Sequence, residues 1–342
     1  MKKVLLVGIV IVAIALGVIV TLGYQYVKGK NVSLKQDELL LQIPTNTDFE
    51  QLKSLLKTEN VLENHQSFEW VAKLKRYGSN VRSGQYLIKD GWSNNQLINH
   101  LRGGQQKAQK VTFNNIRLLP ELAGAVAPYF EFDSLALNSV LTDTSFFKQY
   151  NLQAAEISTL FIPNTYQMYW NTTPEGFVKR MAKEHAKFWN DERKAKAEKQ
   201  GLSPTQVSIL AAIVQQEVMH KGEAPKVAGL YLNRLKINMA LQADPTLKYA
   251  ANDFSITRVL NEHKTIDSPY NTYMYPGLPP GPICIPDVFA LEAVLNPEKH
   301  NYLYMCAKED FSGYHNFAKT NREHERNARL YRRELNKRKI FR

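Results

Sequence analysis

Hydrophobic and polar positions divide the chain into three stretches with different spacing. Residues 4–22 form an uncharged run almost entirely of Val, Ile, Leu, Ala and Gly behind Met1, Lys2 and Lys3. As a helix this run is about 28 Å long, close to the hydrocarbon thickness of a bilayer. A small-residue motif, Ala13-Ile14-Ala15, sits in the middle of the run and not at its end, which favours a retained anchor over a cleaved signal. Lysines flank both sides (Lys2 and Lys3, Lys28 and Lys30). The three-residue head places the N-terminus in the cytoplasm and everything after about residue 27 outside it.

Next come two short pieces of similar design. Residues 39–43 read as a strand, Thr47 and Glu50 have capping-box spacing, and Phe49, Leu52, Leu55 and Leu56 follow at helical intervals. A second helix is predicted over 67–74. Residues 85–88 read as another strand, with a turn at Asp90-Gly91, a box at Ser93 and Gln96, and a helix ending at Gly103-Gly104. From Val111 the helices lengthen. Thr173-Pro174-Glu175 starts a charged helix that stops near Gly201, and Ser203 with Gln206 starts an apolar one. The predicted class is α+β: an anchor over 1–27, a small α+β module over 28–110, and a larger mixed α+β domain over 111–342.

Ile209, Leu210, Ile213 and Val214 predict one buried helical face, and Glu217 continues that face where an apolar residue is due. A carboxyl so placed either ends the buried run in a salt bridge or in solvent, or sits in a partly apolar cleft. In a cleft, desolvation and the negative end of the helix dipole would keep it protonated as a general acid. Other chemistries fit poorly. Glu217 and His220 form an E-x-x-H pair, but a di-iron bundle needs a second copy and two further carboxylates, so no metal is expected. No G-x-S-x-G elbow occurs. Cys284 and Cys306 are too few for a disulfide framework; outside the cytoplasm they are open to pairing or to remaining buried thiols. Downstream loops carry Gln242, Asp244, Tyr270, Asn271, Thr272 and Tyr273 among prolines. Such residues make ordinary turns, yet amides, hydroxyls and aromatic faces are also what a polysaccharide groove uses.

The chain has 44 Lys or Arg against 32 Asp or Glu, a net +12. A nucleic-acid partner would suit that balance, but residues 319–342 alone hold ten basic and three acidic residues. An extracytoplasmic location also argues against DNA or RNA. Thr320 and Glu323 form a capping box that predicts a terminal basic helix, either simply solvated or facing anionic lipid, wall polymer or an acidic protein.

Several ordered blocks carry a family resemblance: LAAIVQQE (210–217), YLNRL (231–235), LQADPT (241–246), YNTY (270–273) with GLPPG (277–281), Asn296-Pro297 ahead of Tyr302-Leu303-Tyr304, and also FIPNTY (161–166) and His315-Asn316-Phe317. Together they resemble the endolytic murein transglycosylases, also called the YceG-like or MltG family, from the anchor almost to the end. The resemblance implies a LysM-like module within 28–110, cleavage of the bond between N-acetylmuramic acid and N-acetylglucosamine inside peptidoglycan strands, and a single catalytic glutamate at Glu217. It implies no cofactor, and cell-wall synthases as partners at the plasma (inner) membrane. Expected substrate contacts are Asn233, Gln242, Asp244, Tyr270, Asn271, Thr272, Tyr273 and His315. One departure is Gln215, where many members have Glu. Two alternatives are a muramidase-type hydrolase with Asp244 as second carboxylate, and a non-catalytic glycan-binding scaffold for wall synthesis.

Overall fold

The structure, a computed structural model, describes residues 2–338, with side chains described for 6–338. Met1 of the expected cytoplasmic head and residues 339–342 of the basic tail lie outside the described residues. Helix α1 (Lys2–Lys28) contains the apolar run, and its stretch Leu6–Lys28 is long and apolar enough to cross a membrane. The rest is a mixed α+β protein.

The chain divides into two units. The first runs through Val111 and adds Tyr129–Phe132 and Tyr166–Thr173; the second holds the remainder. The two short returns to the first unit have no marker in the sequence.

In the first unit, β1 (Glu38–Ile43), α2 (Phe49–Thr58), α3 (His65–Leu74), β2 (Gly84–Lys89) and α4 (Asn94–Gly103) follow in order. The two pieces expected from sequence are halves of one body. Strands β1 and β2 pair antiparallel, Leu41 opposite Tyr86 and Ile43 opposite Gly84. Leu41, Ile43, Leu52, Leu56, Phe68, Tyr86 and Leu97 close a common core beneath that ribbon. The first capping box is shifted by one residue: Asp48 caps α2, accepting from the Gln51 amide while the Gln51 side chain accepts from the Asp48 amide. Ser93 and Gln96 form the expected box at α4, and Gly104 ends that helix in the left-handed region, at φ 64°. Ser93→Ala is expected to destabilise this unit by about 1 kcal/mol, read from chemical denaturation of the full chain in detergent. Asn31, Asn94 and Ser67 are buried together, with Asn31 Nδ2 donating to Asn94 Oδ1 at 2.6 Å and Asn94 Nδ2 to Ser67 Oγ at 3.0 Å. Such a satisfied network fixes the segment that leaves α1 against α3 and α4.

Strand β3 (Gln109–Phe113) pairs with β4 (Asn164–Met168), and between them lie α5 (Leu119–Val126), α6 (Ser134–Thr142) and the single turn α7 (Thr144–Phe147). The charged helix expected from 174 to near 201 is two helices, α8 (Pro174–Phe188) and α9 (Asp191–Lys199). The break falls where Trp189 buries and Asn190 caps α9 by accepting from the Arg193 amide. Next is α10 (Pro204–Glu217), opened by the Ser203 and Gln206 box. Here too the structure differs from the sequence expectation. Every residue from Val207 to Val214 is buried, so α10 has no wet face over two turns and forms the centre of the unit. Packed around it are α11 (Ala224–Lys236), α12 (Asp244–Ala250) and α13 (Val288–Leu295). The ribbon of β5 (Tyr304–Ala307) and β6 (His315–Ala318) is followed by the basic helix α14 (Asn321–Lys337), capped by Thr320 and packed on that ribbon.

Candidate active site

Glu217 is the last residue of α10, where the buried core opens into a cavity of 530 Å³. That size suits a small ligand or a few sugar rings. Its lining includes Glu217, Tyr231, Arg234, Gln242, Asp244, Tyr273 and His315, with Tyr304, Cys306 and the start of α14 closing another side.

Two residues on one face of α11 form the back wall. Tyr231 is buried and its hydroxyl donates to Glu217 Oε1 at 3.0 Å. Arg234, one turn on, donates through Nε to the Leu303 carbonyl at 2.6 Å and through Nη1 to the Leu241 carbonyl at 2.6 Å. Its guanidinium thereby ties the loop before α12 to the segment before β5, and places a fixed positive charge behind the cavity. Tyr273 donates to Asp244 Oδ1 at 2.5 Å. Burial pushes the Glu217 pKa up to about 7, and the negative charge of Asp244 acts in the same direction. The Tyr231 hydrogen bond, Arg234 and Lys248 act against them. Glu217 is therefore a carboxyl that exists in both protonation states near neutral pH, which general acid and base catalysis requires.

The structure brings Glu217, Gln242, Asp244, Tyr273 and His315 of the expected residues to this cavity. It uses the others elsewhere. Asn271 is fully buried; its Nδ2 donates to the Lys264 and Ile266 carbonyls and its Oδ1 accepts from the Tyr273 amide. Thr272 is buried, accepting from the Ala243 amide at 3.0 Å and sharing a 2.9 Å contact with the Thr246 hydroxyl. The two residues lock the 268–275 loop onto the start of α12 and so aim Tyr273 at Asp244. Tyr270 packs on Tyr249, ring centroids 4.6 Å apart. Asn233 gives its amide to the His300 and Tyr302 carbonyls and lines a separate pocket. Gln242 has φ 49°, a left-handed conformation for a residue with a side chain, held as its amide donates to the Thr272 carbonyl.

Sequence reasoning passed over Tyr231 and Arg234 as site residues. Their three-residue spacing on the buried face of α11 was the available signal, since that face has no structural need for two long polar side chains. The His220 Nε2 lies 2.8 Å from the Ser312 carbonyl and its ring stacks on Tyr314. Among the described residues no group of three His, Cys, Asp or Glu converges to hold a metal ion. Both cysteines are free thiols. Cys284 is buried, which pushes its pKa up to about 12, and half-buried Cys306 lines the cavity.

This fold and site place the chain in a defined class: it belongs to the YceG-like family, whose model matches residues 41–330. It is similar to an endolytic murein transglycosylase of Bacillus subtilis, 29% identical over 307 residues that cover 85% of this chain and 84% of that one. It is also 23% identical to an endolytic murein transglycosylase of Streptococcus pneumoniae, covering 90% of this chain and 61% of the pneumococcal protein, whose length it therefore spans only in part. Among solved structures a YceG-like protein of Listeria monocytogenes shares the fold, with a TM-score of 0.54 and 24% identity over 85% of this chain and 98% of that one.

Proposed function

We propose that this chain is a membrane-anchored endolytic lytic transglycosylase acting on peptidoglycan. The observation that carries the reading is Glu217: a carboxyl desolvated to a pKa of about 7 inside a cavity of polar and aromatic side chains. The names of its relatives supply the substrate class and the endolytic mode. Helix α1 anchors the chain in the plasma membrane with its N-terminus in the cytoplasm, and the catalytic unit faces the wall. The β1-α2-α3-β2 body serves as a LysM-like glycan-binding module, and wall synthases are the expected partners.

The chemistry needs one acid. Tyr231 occupies Oε1 of Glu217, so the proton sits on Oε2 and passes to the glycosidic oxygen. As the bond from that oxygen to C1 of the muramic acid breaks, its electron pair stays on the leaving oxygen and positive charge develops at C1. The negative Asp244 and the dipoles of Gln242 and Tyr273 steady that charge. The Glu217 carboxylate then takes the proton of the same sugar's C6 hydroxyl. The C6 oxygen bonds to C1, closing a 1,6-anhydro ring and restoring protonated Glu217. No water is consumed.

Asp244 in the same cavity gives the muramidase alternative its foothold, since two carboxyls flanking a bond also support hydrolysis. Mass spectrometry of strands digested by the purified full chain separates the two. The expected product ends are one water lighter than reducing ends; a digest made of reducing ends would reject the transglycosylase mechanism.

A further inference from the structure

Glu223 is a buried acid that the mechanism above does not use. It ends the short 3-10 turn Lys221–Glu223 that leads into α11, and its side chain is only 6% exposed. Its two oxygens hold one residue at two points. Oε1 accepts the backbone N–H of His315 at 2.9 Å, and Oε2 lies 2.7 Å from His315 Nδ1. His315 opens β6, where its backbone is fixed opposite Ala307 of β5, and its ring lines the same cavity as Glu217. No protein group among the described residues bonds to its Nε2.

These contacts settle which ring nitrogen carries hydrogen. A carboxylate only accepts, so a 2.7 Å contact requires hydrogen on Nδ1. In the neutral ring Nε2 then has a lone pair and can only accept, on a residue that lines the cavity. We propose that Glu223 is a positioning residue that locks His315 in the Nδ1–H tautomer, so that Nε2 accepts a hydrogen bond from a hydroxyl or acetamido N–H of the glycan in the Glu217 cavity. This assignment rests on the transglycosylase reading for the identity of the ligand, but the tautomer does not depend on it. The same contacts make Glu223→Gln a tautomer switch. The backbone N–H of His315 needs an acceptor, so the amide oxygen turns to it and the amide NH₂ faces Nδ1. Nδ1 must then accept, and the hydrogen moves to Nε2. A donor replaces the acceptor in the cavity with almost no change in shape.

The test combines ring-nitrogen NMR of ¹⁵N-histidine-labelled full chain at about pH 8, where an ordinary imidazole is neutral, with binding and cleavage of isolated glycan strands. The expected wild-type signal is Nδ1–H with a bare Nε2, inverted in Glu223→Gln. Strand binding by Glu217→Gln protein, in which cleavage is disabled, is expected to weaken about tenfold when Glu223→Gln is added, the worth of one lost hydrogen bond. In the cleaving protein kcat/KM should fall by at least as much. His315→Gln, whose amide oxygen reaches towards the former Nε2 position, is expected to keep more binding and activity than His315→Ala, which covers the case in which Glu223→Gln does not fold. Hydrogen on Nε2 in the wild type, as the other tautomer or as imidazolium, overturns the proposal. So does unchanged strand binding after the inversion, or His315→Ala binding as well as His315→Gln. A wild-type chain that binds strands but leaves them intact would instead reject the enzymatic reading, and the tautomer and binding results would still decide this one.

Discussion

Glu217→Gln is expected to slow the release of anhydro-muramic ends from isolated glycan strands by a factor of about 10² to 10⁴, the range over which one acid and base group acts. The variant is a fair test because it changes little else. Glutamine matches glutamate in size, and its amide oxygen still accepts the Tyr231 hydroxyl that now reaches Oε1 at 3.0 Å. What disappears is the group that gives a proton and takes one back within the same turnover. Liquid chromatography with mass detection reads the product, and thermal melting confirms that the fold persists. Cleavage close to wild type would place the chemistry on another residue. A scaffold that only binds glycan makes the opposite forecast in cells: its Glu217→Gln form should replace the wild type in a deletion strain without a defect, whereas the enzymatic reading expects the defect to remain.

How the sequence anticipated this site, and where it failed, follows from what each signal measures. Caps were legible because they are local. Ser93 with Gln96, Ser203 with Gln206, and Thr320 with Glu323 all bond as their spacing indicates. Glu217 was legible because periodicity placed an acid where the core should continue. The depth of α10 was not: a helix buried on every side and one buried on a single face share many apolar positions, and only packing by α11 and α13 decides between them. The loops around the cavity were the hardest to read. Asn271 and Tyr273 are two residues apart with similar polar character, yet one spends its hydrogen bonds on backbone groups in the interior and the other meets Asp244 in the cavity. A polar side chain in a proline-rich loop satisfies either a stranded backbone or a ligand, and sequence carries no record of which. Glu223 was missed for a related reason, since its partner His315 is 92 residues away.

The same substitution is expected to raise stability at alkaline pH while it removes activity. Glu217 has a pKa of about 7 in the folded protein against 4.5 for the exposed side chain. The raised value fixes the sign. Below about pH 4.5 both states hold the proton and the group has no pH-dependent effect. Between 4.5 and 7 the unfolded chain gives up its proton while the folded protein keeps it, so unfolding is increasingly favoured as pH rises. Above 7 the folded state carries a desolvated charge, and the accumulated loss reaches up to about 3 kcal/mol. Glutamine does not titrate. Wild type and Glu217→Gln should therefore show similar dependence on denaturant near pH 4, and the variant should become progressively more stable up to about pH 8. Titrating groups that do not interact with Glu217 are common to the two proteins and cancel in the difference, so the curve reports Glu217 together with its coupling to neighbours such as Asp244. Parallel pH profiles would show that the folded protein does not desolvate this carboxyl, and the acid in the proposed mechanism would lose its physical basis. A diverging pair would mean that the core which excludes water around α10 also keeps Glu217 protonated, at a cost in stability that catalysis near neutral pH requires. Cleavage by the wild type should then fall about tenfold per pH unit above 7, as the acid form is lost.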